Sequence, residues 1–178
     1  MSAERGEMVE TVALRDGSEL LVRPIAPDDR AALLAAFEHL SDESRYRRFL
    51  ATTQRLTGSE LSYFTEIDHR DHEALIAVTP IGEIVGVARY IRFEGVEDKA
   101  EVAVTVADAW QGRGAGTALL ARLTARARQA GIETFSGICL AENTDMQRLL
   151  TELSPGARTR VAGSGLVEIE AKLPPEGP

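Results

Sequence analysis

The chain has 178 residues, of which 44% are apolar and 27% charged, and its net charge is −8 at pH 7. This composition is too apolar for a disordered chain, and charges interrupt each apolar run well before the ~18 residues of a membrane-spanning helix. The negative charge disfavours a nucleic-acid-binding protein, because such proteins usually carry a basic surface that replaces phosphate counterions. The negative charge agrees better with a cationic partner.

The size of the chain favours one domain over residues 1–178, with residues 1–10 and 174–178 expected to be tails. Residues 1–7 are charged and lack the apolar stretch of a secretory signal, so we expect a cytoplasmic protein with no membrane partner. The single cysteine, Cys139, lies in an apolar stretch that favours a buried thiol. The sequence leaves open whether the protein is a monomer or a homodimer.

The N-terminal half predicts one hairpin and three helices. Asp16-Gly17 is a strong turn signal between two β-prone segments, and Thr57 and Glu60 have the spacing of a helix-capping box. The expected elements are a hairpin of residues 11–14 and 19–23, a helix from Asp28 or Asp29 to Leu40, a short helix with Tyr46, Phe49 and Leu50, and a capped helix over 57–64.

The C-terminal half predicts strands interrupted by two helices. The expected elements are strands at 73–79, 83–93 and 99–107, a helix at 114–130, a strand at 133–140, a helix at 143–153 and two last strands around residues 163–165. An antiparallel meander followed by one β-α-β crossover indicates an α+β fold.

A glycine-rich segment, Gln111-Gly112-Arg113-Gly114-Ala115-Gly116-Thr117, lies where the strand 99–107 gives way to a helix. Its bare backbone N–H groups and the positive end of the helix predict an anion site of the kind that holds a diphosphate. Arg113 adds a permanent positive charge. The segment lacks the Gly-Lys-Ser/Thr ending of a Walker A loop, and Thr117 stands where a dinucleotide fingerprint needs glycine.

The spacing of Gln111, Gly114 and Gly116 resembles the Gln/Arg-x-x-Gly-x-Gly/Ala pyrophosphate loop of the GCN5-related N-acetyltransferase (GNAT) family. The segment 141–149 is similar to the start of that family's next helix, which lies beside the coenzyme and there carries an asparagine, here Asn143. Asn143 is equally well explained as the N-cap of its helix.

The resemblance extends to the N-terminal half, where segments 14–18, 23–25 and 40–49 look like the bacterial protein-lysine acetyltransferase branch of the family. It implies a mixed, mostly antiparallel sheet of about seven strands with about four helices, and acetyl-CoA as co-substrate without a metal. The residues that we expect at the coenzyme are Val104, Val106, Gln111, Gly112, Arg113, Gly114, Ala115, Gly116, Thr117 and Asn143.

Glu101 is the predicted general base. A lysine amine has a pKa near about 10.4 and must lose a proton before it attacks a thioester. On an extended strand Glu101 shares one face with the small residues Ala103 and Thr105, which leaves room for a substrate. The resemblance to the lysine-acetylating branch also places a catalytic glutamate here, ten residues before Gln111. A solvated glutamate at a strand start is the alternative.

The expected mechanism is direct attack of the amine on the thioester, with the oxyanion held by a backbone N–H near Val104 or Val106. Many family members have a tyrosine that protonates the departing thiolate, but this chain has Leu150 at the matching position. Since a thiol with a pKa of about 8.5 leaves readily, the missing acid affects the detail of the mechanism more than the activity.

Two groups of charged residues have no predicted role. His69 and His72 lack a third metal ligand nearby and are expected in a surface loop. Arg45, Arg47 and Arg48 are expected on a solvated helix face.

Three functions therefore compete. The preferred one is acetylation of a protein lysine. The alternatives are acetylation of a small amine and a regulatory module that binds acyl-CoA without turnover.

Overall fold

The computed structural model describes residues 9–175, so the outer parts of both expected tails, 1–8 and 176–178, lie outside the described residues. Within the described part the chain forms eight strands and five α-helices: β1 (Glu10–Ala13), β2 (Glu19–Pro24), α1 (Arg30–Glu38), α2 (Asp42–Phe49), α3 (Gly58–Thr65), β3 (His72–Val78), β4 (Ile84–Arg92), β5 (Lys99–Val106), α4 (Ala115–Gln129), β6 (Thr134–Leu140), α5 (Thr144–Leu153), β7 (Arg158–Gly163) and β8 (Leu166–Lys172). Short 3-10 helices cover Pro27–Asp29 and Asp108–Trp110.

The predicted local signals of the N-terminal half are confirmed. Gly17 adopts a positive φ of 85° in the turn between β1 and β2. The Ser41 hydroxyl accepts a hydrogen bond from the Ser44 N–H, which starts α2 as a helix separate from α1. Thr57 and Glu60 form the predicted capping box of α3. The α+β class is also confirmed, with one strand and one helix more than the family resemblance implied.

The strands form one sheet in the order β1-β2-β3-β4-β5-β6-β8-β7. Neighbouring strands are antiparallel except β5 and β6, which are parallel because α4 connects them as a crossover. Helices α4 and α5 pack against one face of the sheet in the larger apolar core, and α1 and α3 cover the other face in a second core. The sheet therefore lies between two helical layers.

Helix α4 packs closely on the sheet at Gly86. Leu119 and Leu123 of this helix are fully buried, and Gly86 of β4 lies directly beneath Leu119. A Cβ atom at Gly86 would be 2.9 Å from Leu119 Cδ1, so the missing side chain permits this approach. The contact fixes the start of α4 beside the end of β5.

The pairing of β5 with β6 is short. Only Lys99, Ala100 and Glu101 pair with β6, opposite Thr134, Phe135 and Ser136. Beyond Glu101 the two strands diverge, while the pairing of β5 with β4 continues to Val106. This divergence opens the sheet at its centre, next to the glycine-rich segment.

Candidate active site

A cleft of about 900 Å³, measured to its open mouth, lies between the diverging end of β5, the start of α4 and helix α5. Eight of the ten residues expected at the coenzyme line it: Val104, Val106, Gln111, Gly112, Gly114, Gly116, Thr117 and Asn143. Residues far apart in the sequence thus meet in one place, because the β5-α4-β6 crossover and α5 converge there.

The backbone N–H groups of Val104 and Val106 point towards the gap between β5 and β6. Bonds from Phe93 N to Lys99 O (3.1 Å) and from Ala107 N to Val85 O (2.8 Å) join the odd-numbered residues of β5 to β4. Since hydrogen-bonding directions alternate along an antiparallel pair, the even-numbered residues point the other way. The strand therefore offers amide groups to a ligand that enters the gap.

The glycine-rich segment forms a tight turn into α4. Gly112 and Gly114 have positive φ angles of 75° and 99°, and Gly114 is the N-cap of α4. The first intrahelical bond runs from Ala118 N to Gly114 O, so the preceding N–H groups face the cleft without helical partners. A Cβ atom at Gly112 would meet nothing within 4 Å, which leaves open space above the turn. These features fit a diphosphate.

Two of the expected coenzyme residues do not line the cleft. The guanidinium of Arg113 lies 3.1 Å from the Asp16 carboxylate and 4.8 Å from the centre of the Trp110 ring, and Ala115 is buried. Arg15 lines the cleft instead, with its side chain beside Gly114. Arg15 lies 98 positions before Arg113 in the sequence, and no local signal connects it to the loop.

Gln111 and Asn143 each have a structural contact beside the cleft. Gln111 Nε2 donates to Val106 O at 3.0 Å, which ties the turn to the end of β5. Asn143 Oδ1 accepts from Met146 N at 3.3 Å and caps α5. Asn143 therefore caps its helix and also lines the cleft, so the two explanations of this residue are compatible.

Glu101 lies where β5 and β6 begin to diverge, and its side chain is exposed. Val102 and Val104 of β5 pack in the core beneath α4, so Glu101 and Thr105 face the opposite side of the sheet, as the strand periodicity predicts. The register between β4 and β5 is continuous from Ala100 to Val106, so no bulge changes this arrangement. Glu101 is close enough to Arg48 of α2 for their charges to interact.

A family model for the acetyltransferase (GNAT) domain matches residues 19–154 of the chain. The chain belongs to the GNAT acetyltransferase family. The co-substrate of this family is acetyl-CoA.

Similar proteins include the acetyltransferase Pat of Mycolicibacterium smegmatis, 32% identical over 92% of this chain and 49% of that protein. The acetyltransferase PA5475 of Pseudomonas aeruginosa is 32% identical over 79% of this chain and 77% of its own length. This GNAT chain thus spans about half the length of the Pat relative.

Among solved structures, the crystal structure of the GNAT domain of S. lividans PAT is 35% identical, covers 97% of this chain and 99% of that one, and has a TM-score of 0.85. The fold of this GNAT domain therefore matches that crystal structure over nearly its whole length.

The arginines of α2 do not form a solvated face in this GNAT domain, contrary to expectation. Arg45 donates to carbonyl groups at the end of α1 and lies 4.7 Å from the centre of the Phe37 ring. Arg48 turns inward, 4.9 Å from the centre of the Phe49 ring, and lines the cleft. A charged sequence pattern does not distinguish these cases, because a guanidinium group can either face solvent or pack on an aromatic ring.

His69 lies exposed in the loop before β3, as expected, whereas His72 is part of β3 and only partly exposed. His69 Nδ1 is 2.8 Å from the buried Glu73 carboxylate, and His72 begins β3 with its Nε2 2.7 Å from Arg89 Nη1. Among residues 9–175 no group of three or more His, Cys, Asp and Glu side chains is arranged to hold a metal ion.

Two further residues of this GNAT domain bear on the chemistry. Leu150, at the position where relatives can carry a tyrosine acid, is fully buried, and Cys139 is a buried free thiol whose pKa is raised by burial. In the part of the chain that the structure describes, none of the helices is long and apolar enough to cross a membrane.

Proposed function

We propose that this GNAT domain transfers an acetyl group from acetyl-CoA to a primary amine, with a protein lysine as the acceptor class, and that Glu101 is the general base. The observation that carries the proposal is the gap between β5 and β6. The glycine turn and Val104 line the cleft on one side of this gap, and the exposed Glu101, which does not itself line the cleft, stands where the pairing of the two strands ends.

The coenzyme residues of this proposal follow from the lining of the cleft. The free N–H groups at the start of α4 would hold the diphosphate, with Arg15 adding positive charge. The amide groups of Val104 and Val106 would bond the extended arm of the coenzyme, much as a neighbouring strand would. Acetyl-CoA would then end near the point where β5 and β6 diverge, beside Glu101.

The proposed reaction is a direct transfer. Glu101 takes a proton from the ammonium group, directly or through a water molecule, and the neutral amine attacks the thioester carbon. A strand N–H near Val104 holds the oxyanion of the tetrahedral intermediate. The nitrogen gives its second proton to solvent as the C–S bond breaks, and the coenzyme A thiolate takes a proton from solvent, since its pKa of about 8.5 makes it a good leaving group.

A protein lysine suits the open position of the base. The Glu101 side chain is exposed, so a long side chain on a protein surface reaches it without a closed pocket. The net charge of −8 also attracts a cationic acceptor. The resemblance of segments 14–18, 23–25 and 40–49 to the lysine-acetylating branch of the family supports this acceptor class.

The first experiment is calorimetric titration of acetyl-CoA, followed by a thiol-release assay with a panel of lysine proteins and small amines. We expect binding in the micromolar range and turnover that falls by a factor on the order of 10²–10⁴ in Glu101→Gln, the usual contribution of a general base.

The matched control is Glu97→Gln in the exposed turn between β4 and β5, which is expected to keep full turnover. Normal turnover in Glu101→Gln would reject the base, and binding without turnover on any acceptor would favour a regulatory module. Absence of acetyl-CoA binding at millimolar concentration would reject the proposal as a whole.

A further inference from the structure

A second cavity lies on the Glu101 side of the sheet, between α1, α2, α3 and strands β4 and β5. It encloses about 550 Å³, measured to its open mouth, and its walls are mainly apolar, with Leu33, Phe37 and Phe64 among them. Arg48 and Thr105 line both this cavity and the coenzyme cleft, so the two spaces adjoin at these residues.

Two guanidinium groups face this apolar space. Arg48 lies 4.9 Å from the centre of the Phe49 ring and 6.0 Å from the centre of the Phe64 ring. Arg89 is only 4% exposed, also lines the cavity, and lies 4.6 Å from the centre of the Phe64 ring. Their charges repel one another, since Arg48 contributes to the lowered pKa of Arg89.

The carboxylates near these two guanidinium groups do not balance both positive charges. Within residues 9–175, no Asp or Glu oxygen lies within salt-bridge distance of either guanidinium; Arg89 contacts His72 Nε2 at 2.7 Å and Phe64 O at 3.2 Å. Glu101 interacts with Arg48 at longer range, and burial lowers the pKa of both arginines. Two positive charges therefore share one carboxylate in a site of low polarity.

We infer that the cavity walled by Arg48 and Arg89 binds a carboxylate, carried either by the amine that accepts the acyl group or by the acyl group itself. A guanidinium presents a planar pair of N–H donors that matches a carboxylate, and an apolar wall strengthens the attraction. The apolar walls also suit a short carbon chain between the carboxylate and the reacting group. Arg48, at the junction of the two cavities, lies where such a chain would pass.

This inference rests on the proposed function only for the reaction that follows binding. Its test is a binding measurement that needs no turnover, so failure of the carboxylate site and failure of acetyl transfer are distinguishable. The probes are glutarate, a dicarboxylate with a short chain, and glutaramide, its neutral isostere.

We expect glutarate to bind the full chain at least about tenfold more tightly than glutaramide in calorimetry, as charge-assisted pairing to arginine requires. In Arg48→Met and in Arg89→Met the ratio of the affinities for glutarate and glutaramide should approach one. Arg48→Lys keeps the charge but loses the planar fork, so it should retain part of the preference even if Arg89→Met does not fold. Arg55→Met, which changes an exposed arginine outside both cavities, is the matched control and should keep it.

Coenzyme thioesters distinguish the two sources of the carboxylate. If the acyl group carries it, succinyl-CoA should bind at least about tenfold more tightly than butyryl-CoA, and Arg89→Met should abolish the difference. If the acceptor carries it, the two thioesters should bind alike and glutarate should still bind the acetyl-CoA complex. Equal binding of glutarate and glutaramide, no binding of glutarate, or an unchanged preference in both methionine variants would overturn the inference.

Discussion

His72 shows how one buried contact fixes the charge of a side chain. Arg89 donates towards His72 Nε2 at 2.7 Å, and a guanidinium has no acceptor, so the ring nitrogen must carry a free lone pair. Burial and the positive charge of Arg89 lower the pKa of His72 to about 4. The ring is therefore neutral at physiological pH.

This contact makes folding sensitive to acid. An unfolded histidine has a pKa near about 6.5, so between that pH and 4 the unfolded chain binds a proton that the folded chain does not. The free energy of unfolding should therefore fall as the pH is lowered through this range. In His72→Gln this fall should be smaller by about 1 kcal/mol, a figure reduced because the ring is partly exposed. Urea titrations at several pH values measure this. His39→Gln, at the exposed end of α1, should keep the full fall; identical pH profiles for His72→Gln and the unaltered protein would contradict the prediction.

At the residue scale, sequence reasoning placed Glu101 correctly on its face but misjudged the arginines. The strand period of two fixes which side chains share a face, so Glu101 and Thr105 could be predicted together. Arg48 and Arg113 could not, because a long guanidinium side chain reaches several partners and only the packed structure selects one. Arg113 pairs with Asp16, and Arg48 packs on aromatic rings.

At the scale of elements, the turn from β5 into α4 lines the cleft and is the proposed coenzyme site. Gly114 at φ 99° is in a conformation that costs an L-residue roughly 1–2 kcal/mol, whereas Gly116 lies within the first turn of α4. A Cβ atom at Gly116 would lie 3.4 Å from Leu149 Cδ1, which is an ordinary contact. Gly116 should therefore tolerate replacement by alanine better than Gly114.

We expect Gly114→Ala to lower the free energy of unfolding by about 1 kcal/mol or more and to weaken acetyl-CoA binding, because the strained turn would reorient its N–H groups. Gly116→Ala should be neutral or stabilising by about 0.5 kcal/mol, because alanine favours a helix over glycine. Urea unfolding and calorimetry measure the pair. Equal losses of stability in both variants would show that the positive φ of Gly114 is not the cause.

At the scale of the whole molecule, Asp108 joins helix α2 to the segment that follows β5. Its carboxylate follows β5 and accepts hydrogen bonds from Ser41 N at 3.0 Å, Ser41 Oγ at 2.9 Å and Ser44 Oγ at 2.7 Å. Burial raises the pKa of Asp108, but these hydrogen bonds outweigh burial and leave the pKa below its usual value. Helix α2, and Arg48 with it, is thereby held against the end of β5.

Asp108→Ala should lower the free energy of unfolding by about 2 kcal/mol, because it leaves donors at Ser41 and Ser44 without their acceptor. Amide hydrogen exchange in α2 should accelerate while α4 stays protected, since α4 packs in the other core. Asp108→Asn keeps one acceptor oxygen, so its free energy of unfolding should lie between those of Asp108→Ala and the unaltered protein. Unchanged exchange in α2 would contradict the proposed link.

The sequence by itself determined the order of elements and the glycine turn that begins α4. Strand and helix periods, the capping box at Thr57 and the glycine spacing are local, and the chemistry of each depends on residues within a few positions. The tertiary structure alone decided that β5 and β6 diverge beyond Glu101, that Arg15 enters the cleft and that Arg48 and Arg89 share one cavity. These arrangements join residues on separate elements, and the packing of two helical layers on one sheet determines them.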